Sequence, residues 1–417
     1  MNFNEKKVCK KQYLIKIIIY FCLIFFQSLN FIYIYYFPKN IHKNKIRFFL
    51  KYIKDCKNHK RYNRIKIKNE NPYISVCIPA LNMEKYIEQT ILSIINQSFQ
   101  DFEIIIINDN SKDETKNIIK KMQLEDNRVR LVNHDIQKGC YYSRIEAILK
   151  AKGNYIMLMD PDDLYLNENL FQELYQYNLK YNLDIIEFTV FFKFEGNKNI
   201  FFPPKHYDSH FHNFSDNIIN QTNLSEILFK EPNNDSYTHT ICRNIWNKMI
   251  RKKIFFNAYE FIGLEYLNNF VITADDMALN AIIYHFANNY SNINLPGYMY
   301  NIRQLSMSRG DGGNKLNKIR SINYLLYFKI LYRYIKKFEL NRKILFHELK
   351  DLQQYLYYIK NHSMTYYENI TIYFLNEILD DSFTDKIFKS FSFKLLSYFK
   401  KKKKFVNKNS QKIGNNY

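Results

Sequence analysis

Tyr155-Ile156-Met157-Leu158-Met159-Asp160-Pro161-Asp162-Asp163 joins five apolar residues directly to three acids. An apolar run of that length, without alternation and closed by turn residues, reads as a strand buried on both faces. Carboxylates at the end of such a strand lie where ligands collect in a parallel sheet. Toward the amino terminus, runs of the same kind occupy residues 74–78, 103–107 and 129–132. Between them, residues 84–96, 112–123 and 141–150 carry apolar side chains at helical spacing. Strands alternating with helices of this length imply βαβ units, so the expected fold class is α/β with a doubly wound, mostly parallel sheet.

The residues that follow the runs are polar at three of the four strand ends. Pro79, Ala80, Leu81 and Asn82 lead to Glu84; Asn108, Asp109, Asn110 and Ser111 follow the second run; the acids follow the fourth. Together they can surround one ligand. Asp160 and Asp162 offer hard oxygens suited to Mg²⁺ or Mn²⁺, and such an ion also takes diphosphate oxygens. By itself the cluster reads as readily as an acidic loop or helix cap, and Asp163 as a cap of the next helix. Further along, residues 183–192 read as a strand, 246–255 and 275–287 as helices, and 314–399 as mostly helical, aromatic and basic.

The blocks have an order. Ile74-Ser75-Val76-Cys77-Ile78-Pro79-Ala80-Leu81-Asn82-Met83-Glu84 is followed by Asn108-Asp109-Asn110-Ser111, then by Lys138-Gly139, Ser143-Arg144 and Ala151-Lys152-Gly153-Asn154-Tyr155. After the acids come Ile245-Trp246-Asn247-Lys248, Ala274-Asp275-Asp276 and Tyr298-Met299-Tyr300-Asn301-Ile302-Arg303. Over residues 73–309 this order resembles the family 2 glycosyltransferases, and the later blocks resemble the capsule and lipopolysaccharide type within them. Asn110 stands where the family usually has Gly, Ile145 where it has Asn, and Asp275 where it has Glu.

The resemblance implies a GT-A fold and a nucleotide-sugar donor, a uridine diphosphate sugar first among them, used with Mn²⁺ or Mg²⁺. It implies that Pro79, Ala80, Asn82, Glu84, Asp109 and Ser111 meet the nucleoside and Arg144 the diphosphate. Asp160 would serve both nucleotide and metal, and Asp162 the metal. Asp276 matches the base that takes the proton from an acceptor hydroxyl in an inverting transfer. The acceptor would be a glycan, a lipid or a protein. Trp246 reads as a sugar platform or as core, and Arg303 as a phosphate contact or a surface ion pair.

The formal net charge of +21 gathers in tails. Between Lys39 and Lys68 there are twelve Lys or Arg against one acid, Asp55, and residues 400–404 form a second basic run. These read as solvated tails or as attraction to an anionic membrane surface, with no nucleic acid as partner. Residues 17–37 lack any charge; as a helix they span about 31 Å, enough for a hydrocarbon core of about 30 Å. The expected organisation is a basic tail over 1–16, a single-pass transmembrane anchor over 17–37, a basic linker over 38–72, a catalytic domain over 73–309 and a helical, basic extension over 310–417. Positive charge on both sides of the anchor leaves open which side of the membrane holds the catalytic domain.

The six cysteines form no CxxC pair, which argues against a disulfide framework or a zinc ribbon. His206, His210 and His212 sit in a polar, loop-like stretch and read as exposed histidines rather than a zinc site. Two competing functions remain. A nucleotidyltransferase needs a glycine-rich, basic phosphate loop, which residues 79–84 do not offer. A membrane-tethered basic binding protein leaves the acids at the strand ends unexplained.

Overall fold

A computed structural model describes residues 70–195, 200–201, 218–220, 244–263, 269–272, 275–303 and 313–339. Strand β1 (Ile74–Ala80) is buried along its whole length. The reason is its place: it pairs in parallel with β2 (Phe102–Asn108) on one side and β4 (Tyr155–Leu158) on the other. Strand β3 (Val129–Asn133) continues the parallel set beyond β2 and forms its edge, where burial falls away. Helices α1 (Ile87–Ile95), α2 (Thr115–Glu125) and α3 (Cys140–Lys150) connect these strands in turn.

Alternation within the apolar runs divides the core into two layers. Val76, Ile78, Ile104, Ile106 and Met157 point to the layer that also holds Ile91 of α1, Ile119 of α2 and Leu174 of α4 (Leu170–Tyr181). Cys77, Ile105, Ile107, Ile156 and Leu158 point to the opposite layer, with Ile145 of α3. Fully burying each such side chain stabilises the fold by roughly 1.5–3 kcal/mol. Period-two sorting of an unbroken apolar run is what a sheet covered on both faces requires.

Beyond β4 the sheet becomes mixed. Its order is β3-β2-β1-β4-β9-β6-β10-β5, with β5 (Leu164–Tyr165), β6 (Ile185–Phe194), β9 (Lys248–Arg251) and β10 (Asn289–Ile302). Strand β9 runs antiparallel to both β4 and β6, while β10 is parallel to β6. Two short strands, β7 (Ile200–Phe201) and β8 (Ile218–Asn220), add to β6 and β10. The helix expected over 246–255 is therefore corrected: its first part is β9, and helix α5 (Lys252–Ile262) begins where that strand ends. A slot between two strands offers backbone partners on both flanks, and this overrides local helical spacing. Helix α6 (Asp275–Phe286) and helix α7 (Gly313–Lys337) follow, and residues such as Ile282, Leu326 and Tyr334 complete the α3-side layer.

The expectation of a single-pass membrane protein is not supported. Among the described residues no helix is long and apolar enough to cross a membrane. The longest of them, α7 with 25 residues, carries Lys315, Lys318, Arg320, Lys329, Arg333, Lys336 and Lys337. Its buried residues, among them Leu331 and Ile335, pack on the protein core. The segment 17–37 proposed as the anchor lies outside the described residues, as do residues 1–16, 38–69 and 340–417 and the histidines at 206, 210 and 212.

Candidate active site at the carboxyl ends of the parallel strands

The loops that leave β1 and β2 are stitched to each other. The Asn82 N–H donates to Ser111 Oγ at 3.0 Å, and the Lys112 N–H returns a bond to Asn82 Oδ1 at 2.9 Å. The Met83 N–H donates to Thr115 Oγ1 at 2.6 Å, the Glu84 N–H to Asp113 Oδ2 and the Glu114 N–H to Glu84 Oε2, both at 3.1 Å. Asn82 and Asn110 take positive φ, 54° and 61°, a region that Asn enters more easily than other side chains do. This explains how Asn110 stands in for a glycine. Asn82, Glu84 and Ser111 thus shape the loops with their own polar atoms. Pro79 and Ala80 contribute backbone: Pro79 sits in register with Ile107, and the Ala80 carbonyl accepts the Asp109 N–H at 2.8 Å.

Asp109, at the end of β2, is 4 % exposed and held by three donors. Its Oδ1 lies 2.8 Å from the Lys138 N–H and 2.7 Å from His134 Nδ1, and its Oδ2 accepts the Gly139 N–H at 2.9 Å. The other ring nitrogen of His134 is 2.6 Å from Glu146 Oε2 on α3, so the imidazole bridges two carboxylates. His134 and Glu146 were not among the residues singled out from sequence. His134 directly follows β3, and inspecting that strand end like the other three would have found it. Gly139 has φ 95°, and a Cβ there would stand 2.8 Å from the Val271 carbonyl. Only glycine lets residues 138–139 present their N–H groups to Asp109 while lying against Val271.

The acids after β4 part ways. Asp160 Oδ1 pairs with Arg144 of α3 at 2.7 Å. Asp162 Oδ2 pairs with Arg303, just beyond β10, at 2.5 Å. Asp163 is fully buried; its oxygens accept the Asn301 N–H and the Tyr298 hydroxyl, each at 2.7 Å. The same Tyr298 oxygen accepts the Asp160 N–H at 3.2 Å. Burial pushes the Asp162 carboxyl up to about 6, Arg303 opposes that rise, and the neighbouring Asp160 adds to it. Burial first and the two neighbouring acids next lift Asp163 well above the usual carboxylate range.

Among the described residues no group of three His, Cys, Asp or Glu is placed to hold a metal ion. Asp160 and Asp162 still fit a divalent cation in kind. They are hard donors whose mutual repulsion a cation relieves, and Asp160 keeps a partly exposed face. Such an ion would have two protein carboxylates and would need the rest of its oxygens from a ligand.

The second half of the sheet approaches the same edge through residues 269–272. The Val271 carbonyl accepts the Tyr141 N–H at 3.2 Å. Asn323 of α7 accepts the Ile272 N–H at 2.9 Å and donates to the Phe270 carbonyl at 3.0 Å. Four residues after Ile272, Asp276 lies half-buried in the first turn of α6. Trp246 is 6 % exposed and stacks on Tyr298 and Tyr300, with ring centroids 4.5 and 5.4 Å apart, so its indole is part of the core. Behind it, Lys248 is wholly buried, with its ammonium 3.6 Å from Glu187 Oε2 and 3.0 Å from Asn247 Oδ1. The hydroxyls of Tyr284 and Tyr290 also donate to Glu187, at 3.2 and 3.1 Å. Glu187, inside an apolar strand, gave no sequence signal beyond being a lone acid there.

Residues 75–256 match the family model described as glycosyl transferase family 2. Glycosyltransferase GlyG of Streptococcus pneumoniae serotype 4 is 26 % identical over 236 residues, 57 % of this chain and 73 % of GlyG. Glycosyltransferase GlyA of the same organism is 25 % identical over 236 residues but is covered over only 31 % of its length. A Campylobacter jejuni GalNAc(5)-diNAcBac-PP-undecaprenol beta-1,3-glucosyltransferase is 34 % identical over 97 residues, 23 % of this chain and 31 % of that protein. Among solved structures, S. aureus TarS 1-349 in complex with UDP-GlcNAc aligns with a TM-score of 0.47 at 16 % identity, over 73 % of this chain and 81 % of that one.

Proposed function

We propose that this chain, whose residues 75–256 match the family 2 glycosyltransferase model, moves one sugar from a nucleotide-sugar donor to a hydroxyl of a glycan, lipid or protein. The reading is a GT-A catalytic domain over 73–309, with inversion at the anomeric carbon and a divalent cation as helper. What carries it is the meeting, at the carboxyl edge of one sheet, of a backbone-cradled Asp109 with the arginine-paired Asp160 and Asp162.

In this reading the nucleoside lies against residues 79–84 and the Asp109 loop. Asp109 uses three of roughly four acceptor positions on the protein, which leaves one for the ligand. Arg144, oriented by Asp160, turns toward the diphosphate. Asp160 and Asp162 would hold a divalent cation, which when bound would supply charge neutralisation for the departing diphosphate. The acceptor oxygen attacks the anomeric carbon as the bond to the diphosphate oxygen breaks and its electron pair leaves with the diphosphate. Asp276 takes the acceptor proton.

The test is consumption of uridine and guanosine diphosphate sugars by the purified full chain, with and without Mn²⁺ or Mg²⁺. One donor should be turned over, and only with a divalent ion present. Turnover unaffected by chelation would remove the metal from the reading, and release of pyrophosphate from a sugar phosphate and a nucleoside triphosphate would make the protein a nucleotidyltransferase.

A further inference from the structure

The amino-terminal ends of β1 and β4 frame a cavity of about 680 Å³ at the pole opposite Asp109 and Asp160. The seven residues of β1, at about 3.3 Å each, put roughly 20 Å between the two ends. Lys152, Arg251, Lys252 and Lys253 line the cavity, and among the described residues no Asp or Glu does. Two of these cations are already engaged. Arg251 pairs with Asp184 at 2.7 Å and donates to the Asn182 carbonyl, and the Lys252 ammonium donates to the Ala151 carbonyl. Lys152 and Lys253 are exposed, and among the described residues neither side chain has an ion-pair partner.

Like charges gathered around one concavity repel unless an anion joins them, and a phosphate accepts from several ammonium groups at once. The remaining walls add a second chemistry. Phe256 and the partly exposed Tyr73 supply ring surface, the Tyr155 ring being buried against Tyr73 and Arg251, while Asn154 and Asn182 supply amides. Ring faces beside amide groups suit the C–H face and hydroxyls of a sugar. The volume lies within the roughly 300–1,000 Å³ usual for small-molecule sites. We infer that this cavity is a second ligand site, separate from the donor edge, that binds a phosphorylated sugar through Lys152 and Lys253. It does not depend on how the transfer reaction is read.

The experiment is calorimetric titration of the full chain with glucose 6-phosphate, alongside glucose and inorganic phosphate. Glucose 6-phosphate should bind saturably, with glucose weaker by more than about tenfold. In K152E/K253E its affinity should fall by more than about tenfold, with the thermal unfolding midpoint unchanged. K253A alone, at the exposed start of α5, should weaken binding severalfold, so the test stands if the double variant misfolds. Absence of saturable binding, or equal affinity in wild type and K253A, overturns the site. Inorganic phosphate binding as tightly as glucose 6-phosphate overturns its assignment to a sugar.

Discussion

Asp162 and Asp163 are neighbours in the chain with opposite surroundings. Asp162 faces Arg303 across the candidate site, whereas Asp163 is enclosed by Asn301 and Tyr298. Substitution should separate the two. Asp162→Asn keeps an acceptor for Arg303, so the fold should survive while transfer falls by at least about 10²-fold through the loss of an anionic ligand. Turnover beside a urea melt checks this, and full activity with unchanged metal dependence would remove Asp162 from the site. Asp163→Ala leaves a buried N–H and a buried hydroxyl without an acceptor, at about 1–3 kcal/mol for each. Its defect should appear as a lowered urea midpoint before it appears in turnover of the folded fraction.

At the scale of elements, α6 carries two roles at its two ends. Its first turn holds Asp276; two turns later Tyr284 ties it to Glu187 of β6, which also holds Lys248 of β9 and Tyr290 of β10. One buried acid thus joins four elements. Glu187→Ala should cost about 3–5 kcal/mol in chemical denaturation, because it leaves the Lys248 charge buried without its partner. Replacing Glu187 and Lys248 together by Met should cost clearly less; an equal cost would mean that packing, not charge, accounts for the loss. At the other end, Asp276→Asn should lower transfer by roughly 10²- to 10⁴-fold, the usual worth of a positioned base. Nucleotide affinity should hardly change. Asp275→Asn should be milder, since an acid opening a helix interacts favourably with its dipole. If Asp275→Asn were the inactive variant instead, the base would be Asp275.

For the molecule as a whole, the described fold is held by its two apolar layers and the buried polar groups between the strands, not by a metal cluster. Chelation should therefore stop transfer while leaving the circular dichroism melt in place. A melt that shifts down by many degrees on chelation would show a structural ion.

The chain order of strand and helix was legible because each central strand is covered on both faces and so reads as an unbroken apolar run. The same reading put Asp109 and Asp160–Asp163 just beyond strand ends, where the structure has them, and strand ends are where ligands collect in a parallel sheet. It misjudged residues 246–255, whose local spacing suits a helix but whose first part fills the gap between β4 and β6. Nor did it reveal β10, the 14-residue strand whose end delivers Tyr298, Asn301 and Arg303. Those three residues hold the carboxylates of Asp162 and Asp163. Asn301 reaches Asp163 across 138 positions of sequence. Local sequence determined which residues are acids and that they end a buried strand. Only the tertiary structure decided that one acid is enclosed while its neighbour faces an arginine, because enclosure depends on what distant chain packs against it.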